Sequence, residues 1–324
     1  MKRRFWLAFG AAVAGLGAFY PWVHPHAQSD LAAGNQERPF TKAIVQGEGH
    51  GAAQVSLAIF RTSQLRVPEA LVLDDGSLGR NVTMGFSGFL IRHGEQVLAF
   101  DLGLGSQIDA QYSAEMPMWA RSGFRYGKPV DPMISQLAKA GLPVPHEILL
   151  SHTHWDHGSG LEDFPQANVW ITGPELAAMR HTGSGAGSTW MSQLGRKGTR
   201  LQKLDFSDGP YRGFTTSHDL FGDGSVVAVP MPGHTAGAMG LFVTVSSGRR
   251  FLLVGDTIWN TGQLNPVRGK FWAASAVVDA DAAANAAMVE RLAELHAQDP
   301  ALEIVPAHDG GAQERLGLFP HWLE

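Results

Sequence analysis

Four groups able to bind a metal stand within six residues in His152-Thr153-His154-Trp155-Asp156-His157. They follow the apolar run 147–151, where a buried strand is expected to give way to a loop. Imidazole and carboxylate donors together suit zinc and its first-row neighbours, and the absence of thiolates argues against a structural Cys-type site and for a catalytic one. Six residues cannot surround two ions, so the chemistry depends on donors arriving from elsewhere. Three do: His234 in Pro232-Gly233-His234-Thr235, Asp256 in Gly255-Asp256, and His308 in Pro306-Ala307-His308-Asp309. They follow apolar runs at 226–230, 251–254 and 302–305, which places them on turns at the carboxyl ends of expected strands. Open α/β architectures carry their functional groups there. A lone His or Asp in such a turn is ordinarily a local hydrogen-bonding residue. The recurrence of the pattern argues for a shared site.

A chain of 324 residues, 44% hydrophobic and 17% charged, can bury a large core as one or two α/β domains. The formal net charge of -5, with no Lys/Arg-rich block past the first few residues, gives nucleic-acid binding little electrostatic support. Zero cysteines exclude disulfides, zinc-thiolate sites and cysteine nucleophiles, and suit an exported enzyme. Export is also the reading of residues 1–27, where Lys2, Arg3 and Arg4 precede an apolar run at 5–20. This is the pattern of a signal peptide, or of a membrane anchor if it stays attached, and places the catalytic body outside the cytoplasm, in the periplasm or beyond. Residues 28–50 read as a linker or arm, and 51–324 as the folded domain.

The elements that must position the donors are short and apolar. Strands are expected at 55–60, 85–92 and 96–101, with a hairpin turn at His93-Gly94-Glu95. Asp101, ending the third run, is either a turn former or a group orienting a metal-bound His. Residues 104–130 lack clean periodicity but carry Tyr112, Met116, Trp119 and Phe124, either as a substrate-pocket wall or as plain core cover. Asp131-Pro132 reads as a cap opening a helix that stops at Gly141. A strand at 168–172 and a short helix from Gly173 follow. The Gly/Ser/Thr-dense residues 181–200 around Trp190 read as a mobile loop, with His181 solvated. Strands resume at 225–230, 240–245 and 250–254; a last helix at 279–297 with Met288, Leu292 and Leu295 facing the core, and a final strand at 302–306, complete the chain.

His-x-His-x-Asp-His, then Gly-His, Gly-Asp and a late His, resembles the motif series of the metallo-β-lactamase superfamily of metal-dependent hydrolases. The resemblance spans Asp101 to His308, nearly the whole body. It implies an α/β fold, the four-layer αβ/βα sandwich, and two divalent metal ions, zinc foremost. His152, His154 and His234 would hold one; Asp156, His157 and His308 would hold the other; Asp256 would bridge them. In that chemistry a metal-bound hydroxide attacks a carbonyl, with Asp156 orienting the nucleophile or shuttling a proton. The stretch from Asp219 through Ser225, the Pro232-Gly233-His234-Thr235 turn and His308-Asp309 look most like the N-acyl-homoserine lactonase group, so a lactone or ester of small size is the expected substrate. Two positions depart from that pattern. Ala238 falls where relatives carry a polar residue or His, and Trp259 falls where lactonases place a substrate-contacting Tyr. The same resemblance leaves room for thioester or β-lactam hydrolysis, a mononuclear-iron persulfide dioxygenase, or a binding protein without turnover.

Overall fold

In the computed structural model the described residues are 54–179, 185–194 and 198–324. The expected targeting segment, the linker and His181 lie outside them. The first sheet runs β1 (Val55–Pro68), β2 (Asn81–His93), β3 (Gln96–Leu102), β4 (Glu147–Leu149), β5 (Asn168–Thr172) and β6 (Arg200–Leu204), in that order. Its first three strands are antiparallel and β3 through β6 are parallel. The second sheet comprises β7 (His218–Asp219), β8 (Val226–Pro230), β9 (Met239–Thr244), β10 (Arg250–Leu253) and β11 (Leu302–Val305) in the order β11-β10-β9-β8-β7. Only β10 and β11 pair in parallel there. The helices are α1 (Ile108–Glu115), α2 (Met133–Ala140), α3 (Trp155–Gly158), α4 (Gly173–Ala178), α5 (Met191–Leu194), α6 (Trp272–Val278), α7 (Ala282–Gln298) and α8 (Gly310–Leu316).

Strand side chains alternate between faces, and here both faces are covered, so the strands read as unbroken apolar runs. Val226 and Ala228 of β8 enter the core between the sheets with Leu57, Ile59 and Phe89. Their neighbours Val227 and Val229 point the other way, onto Val289 and Leu292 of α7. On the opposite side Ala58, Phe60 and Leu90 meet Met133 and Leu137 of α2. Helix, sheet, sheet, helix is therefore the layering. The carboxyl ends of β3, β4, β8, β10 and β11 all supply residues to one edge of it.

Several local expectations are corrected. Asp131 does not cap α2: Pro132 holds that position, and the Asp131 carboxylate pairs with Lys139 at 2.9 Å. Gly141, φ +66°, stops the helix as expected. The helix expected at 279–297 begins only at Ala282, because Asp281 caps α7 by accepting from the Ala284 amide while Asp279 is drawn to the site. It is not the last helix either, since Asp309 caps α8 through the Ala312 amide. Within the expected loop at 181–200, residues 185–194 are packed: Trp190 is fully buried, and its indole donates to the Gly185 carbonyl. Glycine content hid this, because one large aromatic can anchor a segment whose local composition favours turns.

Candidate metal centre

The loop after β4 delivers His152 and His154, and α3 presents Asp156 and His157 one turn later. Gly255 follows β10 at φ +50°, and a Cβ there would stand 2.5 Å from Ser151 Oγ, so only glycine lets the Asp256 turn close on the His152 loop. Gly233, at φ +140°, lies so near α7 that a Cβ would meet the Asn285 amide nitrogen at 2.4 Å. The chain also fastens this turn to the start of α7, through Ala280 N–H to the His234 carbonyl and Asp281 N–H to the Gly233 carbonyl. Glu175 of α4 ties the two histidine turns together. One oxygen accepts from the Thr153 amide and hydroxyl (2.8 and 2.7 Å), the other from the Thr235 hydroxyl and Gly237 amide (2.7 and 3.1 Å).

The seven donors converge, all buried. Three sets have ligand atoms within 4.8 Å of one another: His152, His154 and His234; His152, His157 and Asp256; Asp156, His157 and His308. His234 Nε2 and His152 Nε2 are 3.1 Å apart, and His308 Nε2 lies 3.1 Å from Asp256 Oδ1 and 3.3 Å from Asp156 Oδ2. On four of the five rings the far nitrogen has a neighbour, which aims the Nε2 atom inward. His157 Nδ1 donates to Asp101 Oδ2 at 2.8 Å, His234 Nδ1 to Asp279 Oδ1 at 2.7 Å, and His308 Nδ1 to the Gly85 carbonyl at 2.6 Å. His152 Nδ1 is 3.0 Å from Ser151 Oγ.

Electrostatically the cluster has two halves. Burial pulls His152 well below the ordinary imidazole value and, with the nearby His234, takes His154 down to about 3. Burial opposes charge at His308 too, but Asp256 and Asp156 outweigh it and hold that ring up at about 10. At His157, Asp101 and Asp256 likewise overcome burial and raise it well above the ordinary value. Burial would raise Asp256, yet His308 and His157 hold it well below the carboxylate range. Within the cluster two buried atoms remain without a hydrogen-bond partner: His157 Nε2 and Asp256 Oδ1, which face each other at 3.2 Å. A buried polar atom left so is costly, and a cation between these two would satisfy both.

Asp101, which the sequence left between two roles, orients His157; it is fully buried and also accepts from the Ser151 amide and hydroxyl at 2.7 and 2.8 Å. Trp259 lines the cavity over the cluster, but its indole N–H is already given to Asp256 Oδ2 at 2.8 Å. The cavity has a volume of about 640 Å³ and mostly apolar walls, with Phe86, Trp119, Phe124, Trp155 and Val278 among them and Asp156, Asp256 and His308 on the floor. Trp119 and Phe124 are therefore pocket wall, whereas Tyr112 and Met116 pack behind it. Ala238 lines a separate depression of about 210 Å³. The Asp219–Ser225 stretch is a turn remote in role: Asp219 accepts from the Gly222 and Gly224 amides, and Asp223 pairs with His93. Asp279, Glu175 and Lys270 were missed in the sequence. Each lies outside the motif series, and nothing in its own neighbourhood distinguishes it from a surface charge.

Residues 87–308 match the model of the metallo-beta-lactamase superfamily. The chain is 30% identical over 233 residues to a probable metallo-hydrolase of Mycobacterium tuberculosis, covering 68% of this chain and 73% of that protein. Among solved structures it resembles an N-acyl homoserine lactone hydrolase with the product N-hexanoyl-L-homoserine at its catalytic metal centre. That match has a TM-score of 0.66 and 15% identity, and covers 84% of this chain and 100% of that one. A dizinc quorum-quenching lactonase, AidC, matches with a TM-score of 0.51 and 17% identity over 80% of this chain and 88% of that one.

Proposed function

The chain belongs to the metallo-β-lactamase superfamily and is a metal-dependent hydrolase, and from that premise we propose that it uses two divalent cations to open lactones or esters carrying an apolar substituent. The observation that carries this is a seven-donor cluster, with an orphaned His157 Nε2 and Asp256 Oδ1, on the floor of an apolar cavity. His152, His154 and His234 would hold one ion and Asp156, His157 and His308 the other, with Asp256 between them. The all-N/O donor set fits zinc. Bound there, such ions supply an activated water and polarise a carbonyl.

The chain's own residues do the rest. Asp156 is 8% exposed and its carboxylate borders the cavity, so it can orient the attacking water and take up its proton. Trp259 holds Asp256 by its indole N–H and offers the substrate a flat apolar face. The cavity walls exclude water and favour an acyl or aryl body. The lactone-hydrolysing neighbours, and the product bound in one of them, support this choice of substrate class. The composition and the charged, then apolar, amino-terminal segment support export to the periplasm.

The test is a panel of lactones, esters, thioesters and β-lactams offered to zinc-loaded protein with a chelated control. Lactone or ester opening that needs metal is expected. Activity confined to β-lactams or thioesters, or one iron per chain with persulfide oxidation, would overturn the reading. Asp156→Asn should lower kcat by about 10²-fold or more with the cavity intact.

A further inference from the structure

Lys270 precedes α6 with its side chain fully buried. Its Nζ donates to Asp279 Oδ1 at 2.5 Å and stands 3.0 Å from His234 Nδ1, which donates to the same oxygen. The ammonium also lies 5.6 Å from the centre of the Trp259 ring, whose indole holds Asp256. One buried positive charge thus touches the supports of two of the seven donors. The other end of the cluster is built differently. Asp101, behind His157, meets the Ser151 amide, the Ser151 hydroxyl and His157 itself, with no ammonium or guanidinium recorded against it among the described residues.

A carboxylate behind a ligating imidazole raises its basicity and strengthens its hold on a metal. An ammonium on the same oxygen withdraws that support, and its charge opposes a cation nearby in a medium of low dielectric. An ion held by weakly donating ligands keeps more of its own charge to draw electrons from a substrate carbonyl. We propose that Lys270 is a positioning residue that, through Asp279, loosens the His152, His154 and His234 end of the centre relative to the Asp156, His157 and His308 end and so sharpens its action on the substrate. This rests on the two-cation reading above.

The test uses the full chain and zinc alone as ligand. Stepwise affinity is measured by competition with a chromophoric chelator, and kcat on the best substrate of the panel. Lys270→Met and Lys270→Gln should each tighten the weaker zinc step by about tenfold or more while lowering kcat. The double variant Lys270→Met with Asp279→Asn, which removes both charges, should return the affinity towards wild type. A merely structural lysine would weaken affinity and turnover together. Two single variants whose zinc steps are unchanged or weaker overturn the inference, as does a double variant as tight as Lys270→Met. If Met leaves the chain unfolded by far-UV circular dichroism, Gln, of similar length and still polar, carries the comparison. Two zinc ions per wild-type chain with unresponsive lysine variants would sink this inference alone. Fewer than two would sink the two-cation reading with it.

Discussion

Three of the rings that would face a cation are held from behind, and the holder differs from one to the next. Asp101 stands behind His157, Asp279 behind His234, and a main-chain carbonyl, that of Gly85, behind His308. Such partners fix the tautomer, so Asp101→Asn should weaken zinc binding about 10- to 100-fold at the His157 end, read by competition titration, with the fold intact by circular dichroism. The metal-free cluster also stores protons. Carboxylates overcome burial to hold His308 up at about 10 and His157 well above its ordinary value. Cations must expel those protons, so zinc uptake at neutral pH should release protons, and apparent affinity should rise with pH. Titration calorimetry in buffers of different ionisation enthalpy reads the release directly. For the metal-free protein the sign is opposite. A raised imidazole value stabilises the fold fully below its unfolded value of about 6.5, and that contribution is lost as pH rises through about 10 at His308.

At the scale of elements, the strands serve the site by ending together, and the helices by covering the outer faces that alternation leaves apolar. Leu292 on α7 is fully buried against β8 and β10 side chains such as Val229 and Leu252, far in role from the donors. Leu292→Ala should therefore lower the unfolding free energy by about 2–5 kcal/mol in denaturant titration while the zinc stoichiometry stays the same. Segment 185–194 behaves as an element although it reads as a loop. Trp190 stacks on Trp155 at 5.3 Å, and the Gln193 amide donates to the Trp155 carbonyl at 2.9 Å, so this stretch braces the helix that carries Asp156 and His157.

At the scale of the whole molecule, the centre joins the two sheets. His152, His154, Asp156 and His157 come from the first; His234, Asp256 and His308 come from the second. Ions bound across that seam favour the folded state alone, stabilising it by about 2.7 kcal/mol at a free concentration 100 times Kd. Chelation should then lower Tm markedly with little change in the far-UV spectrum before unfolding, and added zinc should restore it. The seven candidate ligands that the fold brings together and the strands behind them were legible in the sequence, because both-faces-buried strands read as apolar runs and each of these runs ends in a turn with a ligating residue; the layering came only with the resemblance of the motif series, which periodicity could not have singled out. The tertiary structure alone decided that Asp279 supports His234 rather than opening a helix, that Trp259 gives its N–H to Asp256, that Glu175 clamps the Thr153 and Thr235 turns together, and that Lys270 is buried beside them. A ligand motif is local and announces itself by residue type. A supporting charge is chosen by what the fold brings near it, and no periodicity in its own stretch of chain records that neighbour.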